Sequence, residues 1–302
     1  MASELTITKK VILGARLPTL AVGIAPVLLG HALAFQAIGA ANVRWLHIAL
    51  FVLTLLATML MQSGANFVND VVDGTTGVDR QERVGPQRLV QSGIATHEFV
   101  RNCYRVCFVL ASAIIAGLAY RGGIDVVVVG VLCIAFAYLY TAGPLPLSRM
   151  ALGEISAFIF FGPLAVGGCY FLQTLQWNPA AMLWGSGTGL LAATMMAINN
   201  YRDREGDKLA GKKTLAVVLG ARWARLLPLT FLGLSVGLVI AYGFRSGKTI
   251  GATVAALFLA AFVLKNVLPL VLHGSTHLNF ALKNTGKLSL LYSVMFGTVI
   301  FL

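Results

Sequence analysis

Long apolar runs alternate with short polar segments along almost the whole chain. A run of about 17 to 25 apolar residues has the length of a membrane-spanning helix. Nine apolar runs reach or approach this length, at Leu17–Ile38, Leu46–Val68, Val100–Tyr120, Ile124–Thr141, Leu152–Leu172, Ala180–Asn200, Leu226–Tyr242, Thr249–Leu272 and Leu288–Leu302. The pattern predicts an all-α polytopic membrane protein in which nine transmembrane helices form one bundle, with residues 1–302 as a single domain.

The composition supports this prediction. Hydrophobic residues make up 58% of the chain and charged residues 11%, whereas a soluble domain carries about 25% charge. The net charge of +12 could suggest a nucleic-acid partner, but the Lys and Arg residues are scattered through short loops. We therefore expect contacts with the lipid bilayer and with phosphate groups, and no nucleic acid. The sequence does not identify a protein partner.

The basic residues are divided unevenly between the two sides of the membrane. If the N-terminus is cytoplasmic, the cytoplasmic segments carry 18 of the 23 Lys and Arg residues and the opposite segments carry four. An excess of this kind is typical of cytoplasmic loops. We expect an integral protein of the cell inner membrane with its N-terminus in the cytoplasm.

Acidic residues are concentrated in two stretches, 69–82 and 199–207, each at the end of an apolar run. Together these stretches hold seven of the 11 acids, and carboxylates at a membrane edge are costly unless they have partners. Four predicted helices separate the two stretches, and an even number of helices returns the chain to the same face. Both stretches are therefore expected in the cytoplasm.

The two stretches share a local pattern. Asn69 and Asp73 correspond to Asn199 and Asp203, which follow 130 residues later. This correspondence suggests a pseudo-repeat. The two aspartate loops of this repeat are residues 69–100 and 199–225.

The spacing of the acids indicates a metal site. Asp70 and Asp73 are three residues apart and Asp203 and Asp207 are four apart, so each pair would share one face of a continuing helix. Oxygen ligands of this kind suit Mg²⁺ rather than zinc or iron. The predicted metal ligands are Asp70, Asp73, Asp79, Asp203 and Asp207.

Basic residues follow both stretches, among them Arg80 and Arg88 after the first and Lys208 and Lys212 after the second. Carboxylates, Mg²⁺ and cationic side chains together can hold a diphosphate and stabilise it as a leaving group. The alternative is that these acids and bases form solvated salt bridges between loops.

These motifs resemble the paired aspartate motifs of the UbiA superfamily of intramembrane prenyltransferases. The resemblance covers essentially the whole chain, and segments 79–88 and 211–220 are similar to the branch that acts on 1,4-dihydroxy-2-naphthoate. Five residues separate Asp73 from Asp79, where three are usual in the superfamily. The longer gap also fits the naphthoate branch, and it makes Asp79 a weaker candidate for a direct metal ligand than Asp70 or Asp73.

The resemblance implies a UbiA-type prenyltransferase fold and a reaction. A polyprenyl group would pass from polyprenyl diphosphate to 1,4-dihydroxy-2-naphthoate with Mg²⁺ as cofactor. Loss of CO₂ and diphosphate would give demethylmenaquinol, an intermediate of menaquinone biosynthesis. The catalytic residues expected are Asp70, Asp73, Asp203, Asp207, Tyr140 and Tyr201. The substrate-binding residues expected are Arg16, Asn66, Asn69, Arg80, Arg88, Tyr138, Arg149, Asn199, Asn200, Lys208 and Lys212.

Several of these residues have simpler interpretations. Arg16 could contact the diphosphate or anchor the first helix at the membrane surface. Tyr138 and Tyr140 could steady a carbocation or belong to an interfacial aromatic belt. Arg149, the only basic residue of its loop, could pair with the carboxylate of the acceptor.

Other functions fit parts of the same pattern. Prenylation of another acceptor, such as 4-hydroxybenzoate, homogentisate or a tetrapyrrole, would leave the metal site unchanged. CDP-alcohol phosphotransferases keep their aspartates in one run with a D-G-x-x-A-R core, whereas Thr-Thr follows Asp73-Gly74 here. A cation-coupled transporter would carry carboxylates at mid-membrane rather than at helix ends.

Overall fold

A computed structural model describes residues 5–75, 88–144, 146–273 and 277–302, apart from the side chains of residues 73 and 75. These residues are almost entirely helical. The helices are α1 (Ile7–Ala15), α2 (Leu17–Ile38), α3 (Trp45–Thr75), α4 (His97–Leu139), α5 (Gly153–Phe161), α6 (Pro163–Thr174), α7 (Pro179–Leu209), α8 (Leu215–Ser246), α9 (Thr249–Asn266), α10 (Leu268–Leu272) and α11 (Leu278–Phe301).

The long helix α4 is a hairpin rather than one straight rod. Gly123 has φ 61° and ψ −148°, a conformation open to glycine because it has no Cβ. The chain reverses there, so that a Cβ at Gly130 would meet the side chain of Ile115 and the rings of Tyr104 and Tyr138 lie 6.2 Å apart. The two halves, residues 97–122 and 124–139, therefore cross the membrane separately.

Two further passes are broken within the membrane. Gly162 separates α5 from α6, and a Cβ there would lie 2.9 Å from the Cα of Gly189 in α7. The absence of a side chain at both glycines lets the two backbones approach closely, as is common in membrane bundles. Pro163 is the first residue of α6 and Pro269 is the second residue of α10, and a missing N–H costs little in the first turn of a helix.

Seven helical segments of the described chain are long and apolar enough to cross a membrane. One of them, α4, contributes two passes because of its turn, and the 24-residue helix α11 adds another. The described residues thus contain nine passes, and the predicted nine-helix membrane bundle is confirmed. Large apolar side chains such as Tyr120 and Ile250 lie exposed on its outside, as expected for a surface in contact with lipid.

Two helices extend beyond the predicted apolar runs. Helix α3 continues past Val68 to Thr75, and α7 continues past Asn200 to Leu209. A helix that has left the membrane continues through the same backbone hydrogen bonds and needs no apolar side chains. Residues 69–75 and 201–209, which lie beyond the predicted apolar runs, are therefore helical extensions at one end of the bundle, in agreement with the continuing helices assumed for the aspartate pairs.

Candidate active site

A cavity of about 660 Å³ lies between α2, α3, the second half of α4, α5, α6 and α7. Its walls are mainly apolar, and Phe136 and Phe160 stack within it with their centroids 3.9 Å apart. One end, which we call the mouth, is polar. The polar residues that line the mouth are Arg16, Asn66, Asn69, Arg88, Tyr140, Thr141, Asn199, Arg202, Asn279 and Lys283.

The mouth draws on both aspartate stretches. Asn69 belongs to the first stretch and Asn199 to the second, and the two line the same cavity. Both come from the ends of long helices that leave the bundle on the same side. The structure therefore places the two stretches around one opening, as their helix count predicted.

Asp70 connects α3 to the segment that precedes α4. Its side chain is buried, and its Oδ2 and Oδ1 accept the backbone N–H groups of Leu89 and Val90, each at 3.0 Å. The guanidinium of Arg16 lies 3.8 Å from Oδ2. Because Arg88 precedes these two amides and lines the mouth, Asp70 fixes the position of a cation at the cavity.

The junction between α1 and α2 brings Arg16 to the mouth. Arg16 has a left-handed backbone conformation, with φ 55°, which costs about 1 kcal/mol or more for a residue with a side chain. Asn66 donates from Nδ2 to the carbonyl of Ala15 and to Oγ1 of Thr19, both at 2.8 Å. Thr19 in turn donates to the carbonyl of Arg16. Asn66 therefore lines the cavity and also holds the turn that carries Arg16.

A network around Arg202 organises the second stretch. Its Nε and Nη2 bind the two carboxylate oxygens of Asp203 at 2.8 and 2.6 Å. Its Nη2 also donates to Oδ1 of Asn199, and its Nη1 donates to Oδ1 of Asn279, both at 2.8 Å. A buried guanidinium with its donors satisfied in this way is rigid. Arg202 therefore joins α7 to α11 at the mouth.

The end of the second stretch is held by an ion pair. Lys212 Nζ lies 3.2 Å from Oδ1 of Asp207, and both side chains are largely buried. Lys208 is exposed. Asp207, Lys208 and Lys212 are not among the described residues that line the cavity.

Asn200 faces a different neighbour from Asn199. Its Nδ2 donates to Oε1 of Glu154 at 2.9 Å, and the other oxygen of this buried carboxylate has no hydrogen-bond partner among the described residues. A Cβ at Gly153 would lie 3.0 Å from the hydroxyl of Tyr140, which itself bonds to the sulfur of Met196 at 3.0 Å. Tyr140 lines the cavity, whereas Asn200 and Glu154 lie behind its wall.

Three further predicted site residues lie away from the described cavity lining. Tyr138 is exposed on the outer side of α4 beside Tyr104. Tyr201 packs against the hydrophobic core formed largely by α7, α8, α9 and α11. Arg149 is exposed, and its carbonyl accepts the backbone N–H of Lys213 at 2.9 Å.

The remaining predicted residues cannot be placed. Asp79 and Arg80 lie outside the described residues, and Asp73 is described only in its backbone, within α3. Four mouth residues were not predicted from the sequence, namely Thr141, Arg202, Asn279 and Lys283. Arg202 lies inside the second motif and could have been found there, whereas nothing in the sequence connects Asn279 or Lys283 to it.

The described side chains of the two stretches that could bind a metal at or beside the mouth offer oxygen atoms. No group of three or more His, Cys, Asp or Glu residues that could hold a metal occurs in the described part of the chain. Asp70 and Asp203 each accept hydrogen bonds, but a carboxylate oxygen keeps a second lone pair. Oδ1 of Asn69 is buried and accepts no hydrogen bond from the described residues. Hard oxygen donors of this kind fit Mg²⁺.

The nine-pass bundle and its cavity, apolar along the walls and cationic at the mouth, define an intramembrane enzyme for amphiphilic substrates. The chain matches the UbiA prenyltransferase family over residues 23–283. It belongs to that family and is a prenyltransferase.

Curated relatives are similar over most of their length. The 1,4-dihydroxy-2-naphthoate octaprenyltransferase of Haemophilus influenzae is 39% identical over 218 residues, covering 70% of each chain. The enzyme of the same name from Mycobacterium tuberculosis is 38% identical over 217 residues, covering 71% of each chain.

Solved structures share the fold at low sequence identity. The apo structure of a UbiA homologue from Aeropyrum pernix has a TM-score of 0.69 and 16% identity, and the match covers 95% of this chain and 98% of that chain. A UbiA homologue from Archaeoglobus fulgidus bound to DMAPP and Mg²⁺ has a TM-score of 0.58 and 20% identity, with 95% and 99% covered. These matches establish the fold of the bundle.

Proposed function

We propose that this enzyme transfers a polyprenyl group from polyprenyl diphosphate to 1,4-dihydroxy-2-naphthoate. The C1–O bond of the donor breaks, and its electron pair leaves with diphosphate. A ring carbon of the acceptor bonds to C1, and the ring loses its carboxyl group as CO₂. The product is demethylmenaquinol.

The shape and charge of the cavity carry this proposal. A polyprenyl diphosphate has an apolar tail and a head with several negative charges, and the cavity offers apolar walls below a mouth lined by Arg16, Arg88, Arg202 and Lys283. Cationic side chains placed where negative charge develops stabilise a leaving group. The choice of acceptor is supported by the names of the relatives at 38–39% identity.

The walls next to the mouth suit a short-lived allylic cation. Phe136, Phe160 and Tyr140 present aromatic groups to the cavity, and the face of an aromatic ring attracts a cation. The same apolar lining keeps water away from C1, so that the acceptor rather than water would capture the cation.

Oxygen donors of the two stretches would hold Mg²⁺. Asn69, Asp70 and Asp203 supply such donors at or beside the mouth, and Asp73, Asp79 and Asp207 are further ligands expected from the sequence. When bound, Mg²⁺ would offset the negative charge of the diphosphate oxygens. Arg202 would keep Asp203 and Asn199 in place for this purpose through its hydrogen bonds.

The orientation follows from charge. We infer that the protein spans the cell inner membrane with its mouth on the cytoplasmic side, because 18 of the 23 basic residues fall on that side in the predicted topology. Lys9 and Lys10 of α1, and Lys208 and Lys212 after the second stretch, belong to this group.

An acceptor screen tests the proposal. The purified protein in lipid nanodiscs receives octaprenyl diphosphate and carboxyl-labelled 1,4-dihydroxy-2-naphthoate, 4-hydroxybenzoate or homogentisate, with Mg²⁺ or with EDTA. We expect equal amounts of prenylated product, diphosphate and CO₂ with the naphthoate, little product with the other acceptors, and none with EDTA. Inside-out membrane vesicles should support the reaction with added donor, and right-side-out vesicles should not.

Other outcomes would reject parts of the proposal. Faster turnover of 4-hydroxybenzoate or homogentisate would reassign the acceptor. Full activity in EDTA would show that the reaction does not need a divalent metal. Cation flux into liposomes with no release of diphosphate would favour a transporter.

A further inference from the structure

At the end of the cavity opposite the mouth, which we call the far end, side chains from three elements form the lining. Asp125 belongs to the second half of α4, Phe171 to α6, and Trp177 to the turn before α7, and all three line the cavity. On α4, Asp125 precedes the mouth residue Tyr140 by 15 positions, which is about 22 Å of helix. The far end is therefore near the opposite edge of the membrane.

Trp177 is held in place on two sides. Its Nε1 donates to Oδ1 of Asp125 at 2.9 Å. Its ring stacks on Phe171, with centroids 4.8 Å apart and planes at 18°. A hydrogen bond and a stacking contact together fix both the position and the tilt of an indole.

Asp125 is an acidic residue at the far end of the cavity. Among the acidic side chains that the structure describes, Asp125 alone lies at the far end; the others are on the side of the mouth. A carboxylate near the edge of the membrane is costly and is retained where it has a specific partner. The partner of Asp125 is the indole of Trp177.

Trp177 is not part of the packed core. It is 39% exposed, so one part of the ring contacts the cavity wall and another faces outward. Removing such a side chain would lengthen the cavity more than it would disturb the bundle, because a partly exposed ring contributes less to packing than a buried one.

We propose that Trp177, positioned by Asp125 and Phe171, is the stop that limits the length of prenyl chain held inside the bundle. This inference rests on the proposed function, in which the prenyl tail occupies the cavity with its diphosphate at the mouth. A tail that fits below the mouth leaves Trp177 untouched, and a longer tail must meet the indole or bend out between helices.

The test measures kcat/KM with geranyl, geranylgeranyl and octaprenyl diphosphate at saturating acceptor. In Trp177→Ala we expect the preference for the longest donor over the shortest to rise by about tenfold, the effect of added room in an apolar pocket. The value for geranyl diphosphate should stay near that of the wild type. Asp125→Asn should shift the preference in the same direction by a smaller factor.

Trp45→Ala is the matched control. Trp45 begins α3 at the same edge of the membrane, is 87% exposed and is not among the cavity residues. Its removal should leave the preference for donor length unchanged.

Two results would overturn the proposal that Trp177 limits the length of the prenyl chain. One is an equal change in kcat/KM for all three donors in Trp177→Ala, which would indicate a general structural defect. The other is no change for any donor. If Trp177→Ala does not fold, Trp177→Phe and Asp125→Asn decide by the same ratio. A wild-type enzyme that prenylates nothing would instead reject the proposed function.

Discussion

The two aspartate stretches look alike in sequence but hold their first carboxylates in different ways. In the first, Asp70 accepts two backbone N–H groups from a segment about 20 residues away. In the second, Asp203 is bound by the guanidinium of its neighbour Arg202. The same residue type therefore organises a loop in one stretch and pairs with a side chain in the other.

The difference determines what each stretch contributes to the mouth. Asp70 orders the segment that carries Arg88 through two backbone amides, and Leu89 of that segment also packs against Phe67 and Val100. The second stretch depends on Arg202, which also binds Asn199 and Asn279. An anion, Asp70, is thus the centre of the first stretch and a cation, Arg202, is the centre of the second. In the sequence repeat Asp70 corresponds to Asn200, and Asp203 corresponds to Asp73.

Asp70→Asn should have the largest effect. The amide NH₂ of Asn would face a backbone N–H, so one buried amide would lose its acceptor at a cost of about 1–3 kcal/mol. The charge opposite Arg16 would also disappear. We expect kcat/KM for prenyl transfer to fall about 100- to 1000-fold, as for loss of a residue that places charge at a reacting centre, with diphosphate release as the measurement.

Glu98→Gln is the control for this prediction, because Glu98 is an exposed acid in the first turn of α4. Exposed substitutions of this kind change free energies by about 0.5 kcal/mol or less. Near-wild-type activity in Asp70→Asn would show that the segment around Arg88 orders without the carboxylate.

Arg202→Lys tests the cationic centre and should have a smaller effect. The ammonium keeps the charge but cannot bind both oxygens of Asp203 while also reaching Asn199 and Asn279. Loss of about 2 kcal/mol of these charged hydrogen bonds corresponds to about a thirtyfold fall in kcat/KM. Diphosphate release measures this fall in kcat/KM, and the midpoint temperature of unfolding in detergent is measured beside it.

Arg204→Lys is the matched control for the second stretch. Arg204 pairs with the exposed Glu205, and an exposed pair contributes about 0–1 kcal/mol. Equal activities of the two variants would mean that the hydrogen bonds of the Arg202 guanidinium do not contribute to turnover.

The membrane passes could be predicted because lipid leaves the backbone little choice. Each pass must satisfy its own hydrogen bonds, so a long apolar run becomes a helix, and the limits of α2 match the predicted Leu17–Ile38. The exact ends of α3 and α7 could not be predicted, because a helix in water needs no apolar signal. The hairpin in α4 was predicted as two runs because Gly122, Gly123 and Arg121 interrupt the apolar pattern.

The membership of the mouth was only partly predictable. Successive helical residues point about 100° apart, so Asn199 and Arg202 share a face, while Asn200 meets Glu154 and Tyr201 meets the core. That rule applied to the motif would have favoured Arg202 over Tyr201. No local rule leads from Arg202 to Asn279, because 77 residues separate them and helix packing alone brings them together.

Arg149→Ala should have the smallest effect. The segment after the second stretch is tied to the turn at Leu147–Arg149 through the backbone, where the carbonyl of Arg149 accepts the N–H of Lys213 at 2.9 Å. Removing the exposed side chain leaves this bond intact, so the KM for 1,4-dihydroxy-2-naphthoate should change by about twofold or less. The acceptor KM at saturating donor measures the effect. A selective rise in that KM, with the donor KM unchanged, would bring Arg149 back to the acceptor carboxylate and add a substrate-binding cation outside the second stretch.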